Sequence, residues 1–307
     1  MLIMISVTKH NTLIRVGLIQ MKTANEKRKR LRELIASGEM IISPGAYDAI
    51  SARLIEKMGF QCMSLGSYGT AAALYGLPDI GLVTLTQLSD HVRILSRVTD
   101  LPMCCDAEHG FYDASMIWHT VEAFEDAGAA SIQIEDIIAG KHTKGRKELI
   151  PAEEMMLRIH AACDARKDPD LVIFGRTDSI YATDRDEEEM IRRSNMYLEA
   201  GADIILITYG GCGYTTKDLA RIRHRIKGPV AVCPTVKESF ADEKAAGVNY
   251  VGYWQVPIYA GYMGIKMGLQ KLLETEDISK MDEWKYDEQQ FNEDILKEEF
   301  ERYYSIK

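Results

Sequence analysis

With 307 residues, 46% hydrophobic and 27% charged side chains and no low-complexity tract, the chain is either one large α/β barrel or two smaller domains. A net charge of -9 argues against a nucleic-acid partner, but local positive charge still permits a small anionic ligand. Apolar runs fall short of the roughly 20 residues of a membrane span, and the six cysteines, none in a C-x-x-C pair, read as reduced thiols of a cytoplasmic protein.

In chain order, residues 1–20 open with the apolar "MLIMISV", which has no preceding basic region and no small-residue cleavage site, and read as an extension. The basic, helix-forming "MKTANEKRKRLRELIASG" follows from Met21. Eight β-rich runs then alternate with helical patterns: "MIISPG", "CMSLGS", "PMCCDAE", "SIQIED", "LVIFGRT", "DIILITY", "PVAVCP" and "NYVGYW". Eight strand-helix units predict a (β/α)8 TIM-type barrel over residues 21–281, with an N-terminal helix. A weak repeat, "KMGF", "DAGAA", "EAGAD" and "AAGVN", places a glycine after four helices as a left-handed cap. Residues 282–307 form a polar helical pattern carrying Trp284, Tyr286, Phe291, Ile295, Phe300 and Tyr304, large groups that need a covering surface, either their own barrel or another subunit.

Polar residues fall at the strands' C-terminal ends: Ser67, Tyr68, Asp106, Glu108, Glu135, Asp136, Arg176, Asp178, Thr208, Thr235 and Gln255. In a barrel they converge on one mouth, where active sites of this fold are built. Asp106, Glu108 and Glu135 on adjacent strands, with Asp79 on the preceding loop, gather oxygen-bearing groups that suit a hard ion such as Mg²⁺, with Mn²⁺ as a substitute. The competing reading makes each acid a helix cap or an ion-pair partner. Arg176 is placed to hold a substrate carboxylate or a developing enolate oxygen. The basic segment 139–148 carries Lys141 and His142 and is either a lid over a bound anion or a solvated turn. His109 is either a supporting partner of the site or a loop residue. Cys104 and Cys105 alternate across a strand and read as packing residues.

"SPGAYDAISARLIEKMGF", "GLPD", "CDAEHG", "SIQIED", "LIPAEEM" and "GRTD" together resemble the isocitrate lyase/phosphoenolpyruvate mutase superfamily from about Met21 to Leu273. The resemblance implies a (β/α)8 barrel, Mg²⁺, a small 2-oxo or 2-hydroxy acid, and a homotetramer, a dimer of dimers, with exchanged C-terminal helices. It implies Asp106 as the direct metal ligand and Asp79, Glu108 and Glu135 as holders of the metal's waters. By the same resemblance, Ser67, Tyr68 and Gly69 grip the substrate carboxylate through backbone N–H groups, and Arg176 meets the substrate's oxygens. The pattern departs at Thr143, where lyases of this superfamily carry a catalytic cysteine, and at Thr208, where a histidine or glutamate is usual. These departures point to the cysteine-less branch that resembles oxaloacetate decarboxylases. Losing CO₂ from a 2-oxo-3-carboxylate needs chiefly an electrophile at the 2-oxygen, whereas retro-aldol cleavage also needs a base and an acid, for which His109, Lys141, His142 and Tyr68 are candidates. The expected activity is therefore a Mg²⁺-dependent decarboxylase or carbon–carbon lyase. The alternatives are phosphonopyruvate or phosphoenolpyruvate P–C chemistry, (methyl)isocitrate-type cleavage, or a non-catalytic barrel.

Overall fold

Each of the eight β-rich runs contains a strand in the computed structural model, which describes residues 21–138, 148–209, 212–234, 238–281 and 287–304. These strands are β1 (Ile41–Pro44), β2 (Met63–Leu65), β3 (Met103–Asp106), β4 (Ser131–Glu135), β5 (Val172–Thr177), β6 (Ile204–Ile207), β7 (Val230–Val232) and β8 (Tyr250–Tyr253). Every pairing is parallel. The strands neighbour one another in sequence from β2 to β8, β8 pairs with β1, and a bridge between Gly45 and Ser64 joins β1 to β2 and closes the ring. The predicted barrel is therefore observed.

Alternation along each strand divides the interior into two cores. Met103, Cys105, Ile132, Ile134, Ile173 and Ile205 face outward and pack with Val121, Phe124, Met155 and Ile159 of the surrounding helices. Cys104, Phe174, Leu206, Ala231 and Tyr250 belong to the inner core, as the alternation of Cys104 and Cys105 requires. The helix Ala24–Ala36 plugs the bottom of that inner core with Leu31 and Leu34; it starts at Thr23, whose side chain and Glu26 form a capping box. Two of the repeat glycines, Gly128 and Gly201, adopt φ of 98° and 108° and end helices in the left-handed conformation; Gly59 and Gly247 do likewise.

After β8 comes the helix Gln255–Thr275, none of whose residues is buried although Tyr262, Met263, Ile265, Leu269 and Leu273 lie along it. In the C-terminal segment, Ile295 is buried, Arg53 donates to the Ile295 carbonyl and pairs with Glu299 at 3.1 Å, and Lys57 pairs with Asp294. That part of the tail thus sits on the barrel's own helix Ala49–Lys57, one of the two surfaces the sequence allowed. Trp284 and Tyr286 lie outside the described residues. Among the described residues no helix is long and apolar enough to cross a membrane.

Candidate active site

β3 is buried along its whole length, so its last residue, Asp106, reaches the mouth as the first charge after an apolar run. Its Oδ1 accepts the Glu108 N–H at 2.9 Å; its Oδ2 accepts the Ser67 hydroxyl at 3.2 Å and lies 3.5 Å from the Ser67 N–H. The same Ser67 hydroxyl stands 2.9 Å from Asp79 Oδ1, so one side chain ties both acids together. The strand does not continue to Glu108. The backbone turns there, with φ of 52°, and the Glu108 carbonyl accepts the Glu135 N–H at 2.9 Å. Glu108 therefore buttresses the ends of β3 and β4, with its own side chain buried.

Arg176 enters the mouth from β5, in register with Glu135 on β4. Its Nη1 meets Glu135 Oε2 at 2.8 Å, and its Nε and Nη2 donate to the two oxygens of Asp178 at 3.0 Å each. Burial alone would lower the guanidinium's pKa, but Asp178, Glu135 and Asp106 outweigh it and hold the group well above its ordinary value, firmly charged. Asp178 is fixed in turn: its N–H donates to Asp136 Oδ1 at 2.9 Å, while Thr177, Tyr197 and Arg193 occupy Asp136 Oδ2. Two guanidinium N–H groups are thereby hydrogen-bonded to Asp178 while Nη1 is ion-paired with Glu135, so the fork is oriented before any ligand arrives.

Tyr68, Gly69, Asp79, Asp106, Arg176 and Thr208 line a cavity of about 460 Å³ at this mouth. Ser67 reaches the cavity through Asp79 and Asp106, and Glu135 through Arg176. His109 is not on its wall; the carbonyl of that residue accepts from Arg158 and its ring lies 6.2 Å from that of Phe111. Gln255 donates to the Pro234 carbonyl at 2.9 Å and also stands off the wall. Lys141, His142, Thr143 and Thr235 lie outside the described residues. Tyr68 keeps its proton: the hydrogen bond with Tyr259, then burial, push its pKa up to about 12. The Cys233 thiol on the same wall is pushed to about 12, mainly by burial, and stays neutral.

Sequence reasoning gave no role to Asp178, although "GRTD" places it two residues after Arg176 and the spacing was the available signal. Tyr47, within "SPGAYDAISARLIEKMGF", Ile80, next to "GLPD", and Trp254, at the end of "NYVGYW", also line the cavity, although no role was assigned to any of the three individually. The side chains tied to Asp106, Ser67 and Asp79, offer only oxygens, and among the described residues no three His, Cys, Asp or Glu side chains converge tightly enough to hold an ion unaided. Such a set fits a hard ion that keeps most of its waters, as Mg²⁺ does, better than a soft one.

The phosphoenolpyruvate phosphomutase family matches residues 31–273 of the chain. The chain belongs to that family. This membership bears out the resemblance read from the motifs. Among curated phosphomutase-family relatives, the 2,3-dimethylmalate lyase of Eubacterium barkeri is 39% identical over 181 residues, 58% of this chain and 62% of that enzyme. An oxaloacetate decarboxylase of Rhodopseudomonas palustris is 38% identical over 184 residues, 60% of this chain and 63% of the relative. The chain thus spans just under two thirds of each relative's length. Among solved structures, a phosphonopyruvate hydrolase in complex with oxalate and Mg²⁺ superposes with a TM-score of 0.81 at 26% identity, covering 91% of this chain and 97% of the other.

Proposed function

We propose that this phosphomutase-family chain is a Mg²⁺-dependent carbon–carbon lyase acting on a small 2-oxo or 2-hydroxy dicarboxylate of the oxaloacetate or 2-alkylmalate type, through an enolate. One observation carries the reading: the cavity brings Asp106, tied to Asp79, together with an Arg176 already locked by Glu135 and Asp178. A dicarboxylate lyase and an oxaloacetate decarboxylase among the relatives support the substrate class.

In this proposal Asp106 would hold Mg²⁺ directly and Asp79 and Glu135 its waters, with Glu108, off the cavity wall, bracing Asp106 through its N–H; Mn²⁺ suits the same oxygen set. When bound, the ion supplies positive charge where the 2-oxygen becomes negative. The N–H groups of Arg176 not engaged by Glu135 and Asp178 are available to the developing oxyanion or the adjacent carboxylate, at little reorganisation cost because the fork is held in place. Ser67, Tyr68 and Gly69 seat the substrate carboxylate, Thr208 and Thr235 complete the polar contacts, and Gln255, off the wall, supports them through the Pro234 carbonyl. Tyr68, protonated at neutral pH, is one acid for returning a proton to the enolate carbon; Lys141 and His142 are the others, whereas His109 stands off the cavity wall. We assign the chain to the cytoplasm on its reduced cysteines, and to a homotetramer on the apolar face of Gln255–Thr275, which a second copy would cover.

A P–C mutase or hydrolase is the second reading, favoured by the family itself and by the phosphonopyruvate hydrolase neighbour. Assays with oxaloacetate, 2,3-dimethylmalate, 2-methylisocitrate and phosphonopyruvate, each with and without Mg²⁺, separate the two. Mg²⁺-dependent turnover of oxaloacetate or 2,3-dimethylmalate is expected, and turnover of the tricarboxylate 2-methylisocitrate alone would overturn the dicarboxylate reading. Turnover of phosphonopyruvate alone would replace the proposal with the second reading.

A further inference from the structure

Two polar side chains on the inner face of β4 have no part in the chemistry proposed above. Strand alternation settles their direction: Ile132 and Ile134 lie in the outer core, so Ser131, Gln133 and Glu135 point into the barrel. Ser131 and Gln133 both line the cavity. The Ser131 hydroxyl is buried without a hydrogen-bond partner, and the half-buried Gln133 side-chain amide has none among the described residues. Polar groups inside a protein are nearly always paired, so unpaired ones on a cavity wall point to a ligand or water that completes them.

Gln133 is in register with Asp106 on β3 and with Phe174 on β5, and it precedes by two residues Glu135, which pairs with Arg176 at 2.8 Å. Neighbouring strands run about 4.8 Å apart, so Gln133 and Asp106 project side by side from the barrel wall. Asp106 does not use the amide: its Oδ1 accepts from the Glu108 N–H and its Oδ2 from the Ser67 hydroxyl. Phe174, on the other side, offers no hydrogen bond. Glu108 is turned off the wall at φ 52°, so at this level the cavity meets an amide where a continued strand would have brought a second acid.

We propose that Gln133 is a positioning residue for the divalent ion, its Oε1 accepting a hydrogen bond from a water of the ion that Asp106 would hold. The inference rests on the proposed Mg²⁺ reading. Mg²⁺ keeps several of its waters, and each needs acceptors. An amide supplies one without adding negative charge to Asp79, Asp106 and Glu135. With no partner to break, it turns its oxygen to the water at little cost. The Ser131 hydroxyl, one step below on the same face, extends the polar strip and suits water better than an apolar group.

Melting curves of the full chain, stripped of metal and then titrated with Mg²⁺, give both the stability without ion and the apparent Kd. In Gln133→Leu the Kd for Mg²⁺ should rise about tenfold, the usual effect of losing a group that supports a metal's ligands. Its melting temperature without Mg²⁺ should be unchanged or higher, because no hydrogen bond is lost. Gln133→Glu puts a charge at the same place and should lower the Kd about fivefold or more. A Kd within threefold of wild type in Gln133→Leu, or a lower melting temperature without the ion, would overturn the assignment and leave the Mg²⁺ reading standing. Should Gln133→Leu not fold, Gln133→Glu decides: unchanged or weaker Mg²⁺ binding there overturns the assignment as well. No effect of Mg²⁺ on the wild type would overturn the Mg²⁺ reading, and the role of Gln133 with it.

Discussion

The two ends of this barrel bury charge for opposite purposes. At the bottom, three cations of the helix Ala24–Ala36 are consumed by the protein: Lys27 Nζ donates to the Ser96 and Thr99 carbonyls at 2.6 and 2.7 Å, Arg28 pairs with Asp168 at 3.0 Å, and Arg32 pairs with Asp203. Leu31 and Leu34 fill the space between them. At the mouth, one guanidinium is shared by Glu135, Asp178 and the nearby Asp106, and it borders a cavity. Charges at the bottom act as fasteners, whereas those at the mouth border a cavity and, in the proposed function, face a ligand. Substitutions at the bottom should therefore cost stability and spare turnover per folded molecule, and substitutions at the mouth should do the reverse.

The largest effect is expected from Arg28→Met, which leaves Asp168 and Glu125 without their buried cation. Breaking such a pair costs about 3–5 kcal/mol, so the melting temperature should fall by roughly 10 °C while kcat of the folded fraction is kept. An unchanged melting temperature would erase the contrast between the ends. Arg176→Lys keeps the charge and loses the fork. It should lower kcat/KM by about tenfold or more, equivalent to at least ~1.4 kcal/mol of transition-state stabilisation, with little change in melting temperature. Activity within a factor of two of wild type would make Arg176 a fastener like Arg28.

Away from both ends, Ile265→Glu combined with Leu269→Glu puts charges one turn apart on the exposed apolar helix Gln255–Thr275. Light scattering should then report smaller species than for the wild type. A wild-type monomer would refute the proposed assembly.

The smallest effect concerns His91, which anchors the mouth from below through its Nδ1, 3.0 Å from Thr70 Oγ1 in the helix that begins at Ser67. Burial holds its pKa below the ordinary 6.5 despite Asp48. A lowered folded-state pKa means that the unfolded chain takes up the proton first, so stability should drop as pH falls from about 6.5 toward the folded value. The loss should amount to roughly 3 °C at most and should vanish in His91→Gln. The same pH slope in that variant would assign the loss to other groups.

What the sequence revealed and what it hid follow the range of the interactions involved. Strand ends were legible because an apolar run stops at a charge within a few residues, as at Asp106 and Arg176. The cap glycines were legible for the same local reason. Glu108 shows where local reasoning ends: two residues from Asp106, it would share that residue's face only if the strand continued, and the turn at φ 52° takes it off the cavity wall. Asp178 was visible but gained a role only once its carboxylate was seen locking the Arg176 fork. That Tyr47 and Trp254 share one cavity was hidden, because they are 207 positions apart and come to the same mouth only when β8 pairs with β1.

The account turns on the mouth holding a divalent ion through Asp106. Melting curves of wild type and Asp106→Asn, recorded with and without millimolar Mg²⁺, test that most directly. The account predicts that Mg²⁺ raises the wild-type melting temperature and leaves the variant's unmoved. An equal Mg²⁺-dependent rise in both proteins would contradict it.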